Sequence, residues 1–357
     1  MSNGPDSPLL PSMERAGGVR ADYHGRTLVR HFGDPAAEYE AATRAVAVFD
    51  RSHRTRLIVS GRAPGKMLNG VITGTMPTAG RATYHTVLTP KGKMITDLWA
   101  TLLGEEETAG YLLDVPVAGR KGLLALFAKV LPPRFAAVRD VTADTAMISV
   151  VGPAAPDFVS RLALGGELSP DQLGALEEGD WHAAGSPPDG LIVTRTAEVA
   201  PLAYSVQGPA EAVVSLWTAL VEDGARPAGL GVWSTLRVEA GRPTFGTDMD
   251  EDTIPIEAGI AERAIDHTKG CYTGQEVIVR IRDRGHVNRY LRRLDLGDVP
   301  TPAHGTELLA ADRSGKVVGR ITSAAQSPER GGVVALAYVA RGAGSVLLDD
   351  RVIAVPN

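Results

Sequence analysis

The 357 residues are enough for two or three domains with cores of their own, and 44% hydrophobic with 22% charged residues is the composition of an ordinary globular chain. No apolar run reaches the roughly 18 residues of a membrane helix, a formal charge of −5 gives no whole-protein attraction to nucleic acid, and one cysteine excludes an intrachain disulfide framework. That single thiol, with no apolar leader at the N-terminus, makes the reducing cytoplasm the expected compartment.

Residues 1–20 carry Pro5, Pro8 and Pro11 with few apolar side chains and read as a flexible tail. Ala36 to Ala47 reads as a helix, with Glu38 and Glu40 early and Arg44 late, as the helix dipole favours. The period then shortens. Arg56 to Ser60 is a strand closed by Gly61, and Ala63 to Leu68 begins a helix. Thr83–Thr89 and Met94–Leu103, joined by the turn Pro90-Lys91-Gly92-Lys93, form a hairpin, and Tyr111 to Val115 is a further strand. Arg120 to Val130 is helical, Val138–Val141 and Ala146–Val151 are strands, and Gly152-Pro153 introduces a helix from Pro156 to Leu164. A second αβ unit therefore starts near residue 145 and continues through strands at Gly190–Arg195 and Ala203–Gln207 to a helix at Ala210–Asp223. Val232 to Ala240 is apolar at helical spacing and stops at Gly241-Arg242-Pro243. From Leu291 onward short strands follow closely, separated by Gly, Pro, Asp and Ser, the pattern of a small β-barrel or sandwich.

The lone cysteine lies in the run Lys269-Gly270-Cys271-Tyr272-Thr273-Gly274-Gln275-Glu276. A free cysteine is more often a small buried hydrophobe than a reactive thiol, and composition alone favours the buried reading. Thr273 and Glu276, ahead of Val277-Ile278-Val279, have the form of a capping box, which would set Cys271 near the positive end of a helix, where a thiolate is favoured. Between Arg280 and Arg293 stand six arginines, His286 and one acid, Asp283, a run that suits an anionic ligand or a solvated helix face equally. No phosphate loop, dinucleotide fingerprint or His-Glu-x-x-His motif is present. The eight histidines show no metal-ligand spacing. One cysteine cannot hold an iron–sulfur cluster alone, so no tightly bound metal is expected.

Several stretches, in order, resemble the YgfZ/GcvT superfamily, whose best-known branch is the folate-dependent glycine-cleavage T-protein. They are Glu38 to Gly61, Gly92 to Leu98, Leu236 to Gly241, Thr253 to Ile260, and Gly319–Ser323 with Ala335–Val339. The octapeptide around Cys271 is similar to the motif of the YgfZ group and its iron–sulfur assembly homologues; aminomethyltransferases lack the cysteine there. The resemblance implies an α+β, three-domain GcvT-like architecture, with two interleaved αβ domains and a C-terminal β-barrel around a central folate-type cavity. Its expected parts are a tail (1–20), an N-terminal αβ domain (21–145) interleaved with a return segment (226–288), a second αβ domain (146–225) and the barrel (289–357).

The same resemblance implies tetrahydrofolate or a derivative as ligand, with Arg54, Trp233 and Tyr204 as contacts. Trp233 stands where the T-protein family has a folate-contacting arginine, and an indole face can stack on a flat ring. Asp97 is what remains of an acidic pair used in one-carbon transfer, Thr96 replacing the other member, and Thr196-Ala197-Glu198-Val199 matches the family's folate-glutamate loop poorly. The expected function is a folate-binding factor for assembly or repair of iron–sulfur clusters in client enzymes, without conventional turnover. Cys271 would be the reactive thiol and transient cluster contact, beside Lys269 and shaped by Gly270, Tyr272, Gly274, Gln275 and Glu276. The alternative is a folate-dependent aminomethyl or N-methyl transferase with Asp97 as acid or base. Expected partners are reduced folate and iron–sulfur client or assembly proteins, with no direct nucleic-acid or membrane contact.

Overall fold

The computed structural model describes residues 6–356. The chain forms two compact units that alternate along the sequence. The first holds the residues up to Asn69 with Thr75–Tyr84 and Leu98–Trp233; the second holds Gly70–Gly74, His85–Asp97 and the residues from Ser234 onward. Within the expected return segment 226–288, the change of unit falls between Trp233 and Ser234, inside the single helix Leu230–Glu239.

In the first unit a six-stranded sheet runs, in spatial order, Trp181–Ala184, Leu191–Thr196, Ala203–Pro209, Thr145–Val151, Ala47–Asp50 and Arg226–Ala228. All pairs are antiparallel except the last. The helix Ala210–Glu222 covers one face and turns Val213, Leu216, Trp217 and Leu220 into a core shared with Ile148, Val150, Tyr204 and Val206. Two expectations are corrected here. The stretch read as a flexible tail contains a helix, Leu10–Arg15, which brings Leu10 and Met13, with Leu9 ahead of them, into this same core. Pro11 lies in its first turn, where the missing N–H breaks no helical hydrogen bond. The helix expected over 36–47 spans Pro35–Arg44, capped by the Asp34 carboxylate accepting from Ala37 N at 3.0 Å, and Ala47–Asp50 is a strand with Ala47, Val48 and Phe49 buried.

A five-stranded antiparallel sheet runs Thr83–Leu88, Met94–Leu102, Tyr111–Val115, Thr55–Ser60 and Ala137–Asp140. Every residue of Tyr111–Val115 is buried, as a strand covered on both faces requires. The helix Arg120–Val130 has its expected limits and buries Leu123 and Phe127. The helix expected over Pro156–Leu164 is an α turn, Ala155–Phe158, continued by a π turn, Val159–Ala163.

The second unit carries the C-terminal sheet, in the order Arg289–Gly297, Gly332–Ala340, Val317–Ser327, Glu307–Ala310, Ser345–Leu348 and Arg351–Ala354. Its two edge strands approach one another, so the sheet curls toward a barrel around Leu294, Leu308, Ile321, Ala335 and Val346. A buried ion pair, Arg237 Nη1 to Asp248 Oδ2 at 2.7 Å, anchors the helix Leu230–Glu239 to this sheet through Ser323 and Thr322, which bond Arg237 and Asp248. Among the described residues no helix is long and apolar enough to cross a membrane.

Candidate functional site

The first unit contains a cleft of about 420 Å³, counting the solvent at its mouth. Strand parity builds it. Along Ala203–Pro209, Tyr204 and Val206 point into the core, so Ser205 and Gln207 point the other way, into the cleft. Thr194 and Ser149 flank Ser205 on the neighbouring strands and extend this polar row across the sheet. The second sheet supplies Trp99 and its cross-strand partner Asp114. Arg195 and Glu198, at and after the end of the strand Leu191–Thr196, complete the polar lining. Ser205 Oγ, Gln207 Oε1 and Arg195 Nε are buried there with no hydrogen-bond partner among the described residues. Buried polar atoms left open in this way are the mark of a ligand or water site.

Each acid of the cleft is held by a buried arginine. Arg54 Nε donates to Asp114 Oδ1 at 2.6 Å, and Arg51 Nη2 to Glu198 Oε2 at 3.2 Å. Arg56, 1% exposed, donates to the carbonyls of Ser52, Arg54, Thr142 and Thr145, and burial lowers its guanidinium to about 10. Burial first, and then the charges of Arg51, Arg54, Arg26 and Arg56, keep the His53 imidazole neutral well below its usual range.

These placements revise the three expected folate contacts. Tyr204 is fully buried on the core side of its strand, and its hydroxyl donates to Leu173 O at 2.8 Å. Parity therefore gives the cleft to Ser205 and Gln207 instead. Trp233 is 4% exposed, with the Arg51 guanidinium 3.7 Å over its ring and Phe49 edge-on at 5.4 Å. That indole face is occupied by Arg51. Arg54 stands behind the cleft wall and positions Asp114. Asp114, Arg195 and Gln207 were not legible as site residues, because only the sheet pairing brings them together, and the Arg51 side chain reaches the cleft only through its bond to Glu198.

In the second unit the octapeptide is seated residue by residue. Lys269 Nζ donates to the carbonyls of Ile72 and Gly74, both at 2.9 Å, and burial lowers its ammonium to about 8. Gly74 N in turn donates to His85 Nδ1 at 3.0 Å, and burial holds that imidazole down to about 3. Tyr272 is buried, its ring centroid 6.0 Å from Lys269 Nζ. Gly274 takes φ +84°, and a Cβ there would lie 2.6 Å from Thr89 O, so the loop rests directly on the hairpin turn. Gly92 of that turn is matched to Val277, which a Cβ would meet at 2.9 Å.

Gly274 is also the N-cap of the helix Gln275–Arg284, and no side chain caps it. The capping box expected from Thr273 and Glu276 is thus corrected: with Gln275 as the first helical residue, the two are out of register for it. Gln275 is half-buried, while Gly270, Glu276 and Cys271 are exposed. Asp97 is 6% exposed on the strand Met94–Leu102, next to Thr96, whose hydroxyl donates to Asp97 O at 2.9 Å. Among the described residues no group of three or more His, Cys, Asp or Glu is placed to hold a metal ion.

Fold and sites together define a mixed α/β protein with a polar cleft and a curled C-terminal β-domain. The chain belongs to the GcvT family: the pattern of the GCVT N-terminal domain matches residues 12–269, and that of the glycine cleavage T-protein C-terminal barrel domain matches residues 289–351. An aminomethyltransferase of Rubrobacter xylanophilus is 31% identical over 351 residues, covering 97% of this chain and 90% of the relative. One of Saccharopolyspora erythraea is 30% identical over 368 residues, covering 100% and 96%. The crystal structure of glycine cleavage system aminomethyltransferase T from Bartonella henselae superposes with a TM-score of 0.84 at 20% identity over 98% of this chain and 96% of that one, a likeness of fold.

Proposed function

We propose that this chain binds a reduced folate in the cleft of its first unit and acts on the one-carbon unit that folate carries. The observation that supports this best is the set of acceptors in the cleft. The Asp114 and Glu198 carboxylates, Gln207 Oε1 and Ser205 Oγ suit the N–H-rich edge of a pterin, and Trp99 gives it an apolar wall. Arg54 and Arg51 hold the two acids in place. Tetrahydrofolate would supply the nitrogen that takes up the one-carbon unit. The alternative reading of the sequence gives proton transfer to Asp97, which is not among the residues that line this cleft. The relatives named aminomethyltransferase support this direction.

The test is a titration with tetrahydrofolate, followed by turnover with an aminomethyl or N-methyl donor. Gln207→Ala and Asp114→Asn are expected to weaken binding about tenfold, the value of one or two buried hydrogen bonds. Asp97→Asn is expected to abolish product formation while binding persists. A wild-type protein that ignores tetrahydrofolate sinks the reading, and one that binds without turnover under any donor limits it to a carrier.

A second reading keeps the folate and adds iron–sulfur cluster assembly or repair. One observation favours it: Lys269, Tyr272 and Gly274 are used in seating the loop, and Cys271 is left exposed. Any cluster contact would be transient, since Cys271 offers one thiolate where a cluster takes four ligands. In a deletion strain, Cys271→Ala should fail to restore client iron–sulfur enzyme activity; full restoration rejects the reading.

A further inference from the structure

Arg51 is the least satisfied buried cation beside the cleft. Its backbone N donates to Met147 O at 2.9 Å, and Met147 lines the cleft, so the residue is fixed against the cleft wall. Its guanidinium carbon lies 3.7 Å over the Trp233 ring, and Nη2 donates to Glu198, a lining residue. Nε and Nη1 are buried and meet no acceptor among the described residues. Between them they carry three N–H groups. Leaving such donors open inside a protein costs more than leaving them in water, unless an acceptor arrives.

Arg26, Arg51, Arg54 and Arg56 face His53, and Asp6, Asp50, Asp114, Asp140 and Glu198 face these guanidinium groups in turn. The planar guanidinium fork suits a carboxylate in particular. The indole attracts the cation from one side and offers no acceptor to its Nε and Nη1 groups.

We infer that Arg51 is the carboxylate-recognition residue of this cleft, receiving a carboxylate of the glutamyl tail of the bound ligand. The inference rests on the folate reading above. It also accounts for Trp233 at a position where the resemblance led one to expect an arginine: the cation is supplied from the Asp50–Arg54 turn and the tryptophan becomes its platform.

The experiment compares tetrahydrofolate with tetrahydropteroate, which lacks the glutamate, on the full chain by equilibrium titration. Wild type should bind tetrahydrofolate more tightly, by roughly tenfold to a hundredfold, the range for charge-assisted hydrogen bonds. Arg51→Met should remove that advantage: tetrahydrofolate affinity falls more than tetrahydropteroate affinity, which falls only as far as the release of Glu198 loosens the pterin edge. Arg51→Lys keeps the charge without the fork and should recover only part of the advantage; it also serves if Arg51→Met fails to fold. If both variants bind the two ligands with the wild-type ratio, Arg51 does not read the carboxylate and the folate reading stands without it. If wild type binds neither ligand, the folate reading falls and the inference falls with it.

Discussion

Replacing Gly274 by Ala tests whether the loop that presents Cys271 is held by the hairpin beneath it. The residue sits at φ +84°, and the new Cβ would lie 2.6 Å from Thr89 O and 3.1 Å from Leu88 Cβ. An alanine in the left-handed region costs about 1 kcal/mol. The nearest atom is a backbone oxygen, which cannot rotate away, so overpacking adds about 1–3 kcal/mol. The expected loss of stability is therefore about 2–4 kcal/mol, read by urea unfolding. Gly270→Ala is the internal control: no heavy atom lies within 4 Å of its added Cβ and its φ is not left-handed, so its effect should stay within about 0.5 kcal/mol. Amide hydrogen exchange over residues 269–277 should rise in Gly274→Ala and stay unchanged in Gly270→Ala. Equal stability and equal exchange in the two variants would refute the seating argument, and with it the claim that the fold singles out Cys271.

Two further outcomes follow from other parts of the chain. Tyr204→Phe should lose about 1 kcal/mol of stability, the hydrogen bond to Leu173 O, and leave tetrahydrofolate affinity unchanged; a weakened Kd without loss of stability would return Tyr204 to the ligand site. His85 is held down to about 3 in the folded state, against about 6.5 for a free imidazole, so between those values the unfolded chain binds the extra proton and stability falls as pH drops. From pH 7 to pH 5 the contribution is about 2 kcal/mol. His85→Asn, which keeps an acceptor for Gly74 N, should show that much less loss in urea unfolding over the same interval; an unchanged loss would mean that His85 is not the titrating group.

The helices Arg120–Val130 and Ala210–Glu222 and the strands of the C-terminal sheet were legible because each combines a clear period with a clear stop. Proline content hid the helix Leu10–Arg15, since what makes it a helix is the burial of Leu10 and Met13 in a core built mostly from residues beyond 145. The strand Ala47–Asp50 was not legible, and its first residue was absorbed into the preceding helix, for a similar reason: four apolar-rich residues choose the strand only when Thr145–Val151 and Arg226–Ala228 lie on either side. The cleft was the least legible part. Its alternating strand could be read from the pattern, but which face met the core depended on a sheet drawn from distant segments.

Short-range chemistry in the sequence by itself determined the family, the α+β class, the hairpin turn and the singular place of Cys271, because motifs and periodicities are local quantities. Only the tertiary structure decided that Tyr204 serves the core while Ser205 and Gln207 serve the cleft, and that Trp233 carries Arg51 on its face. It alone showed that Lys269 and Gly274 hold the loop whose cysteine is left in solvent. Each of those assignments depends on a contact between residues tens to hundreds of positions apart. Which partner a side chain meets is set by packing, which no local pattern encodes.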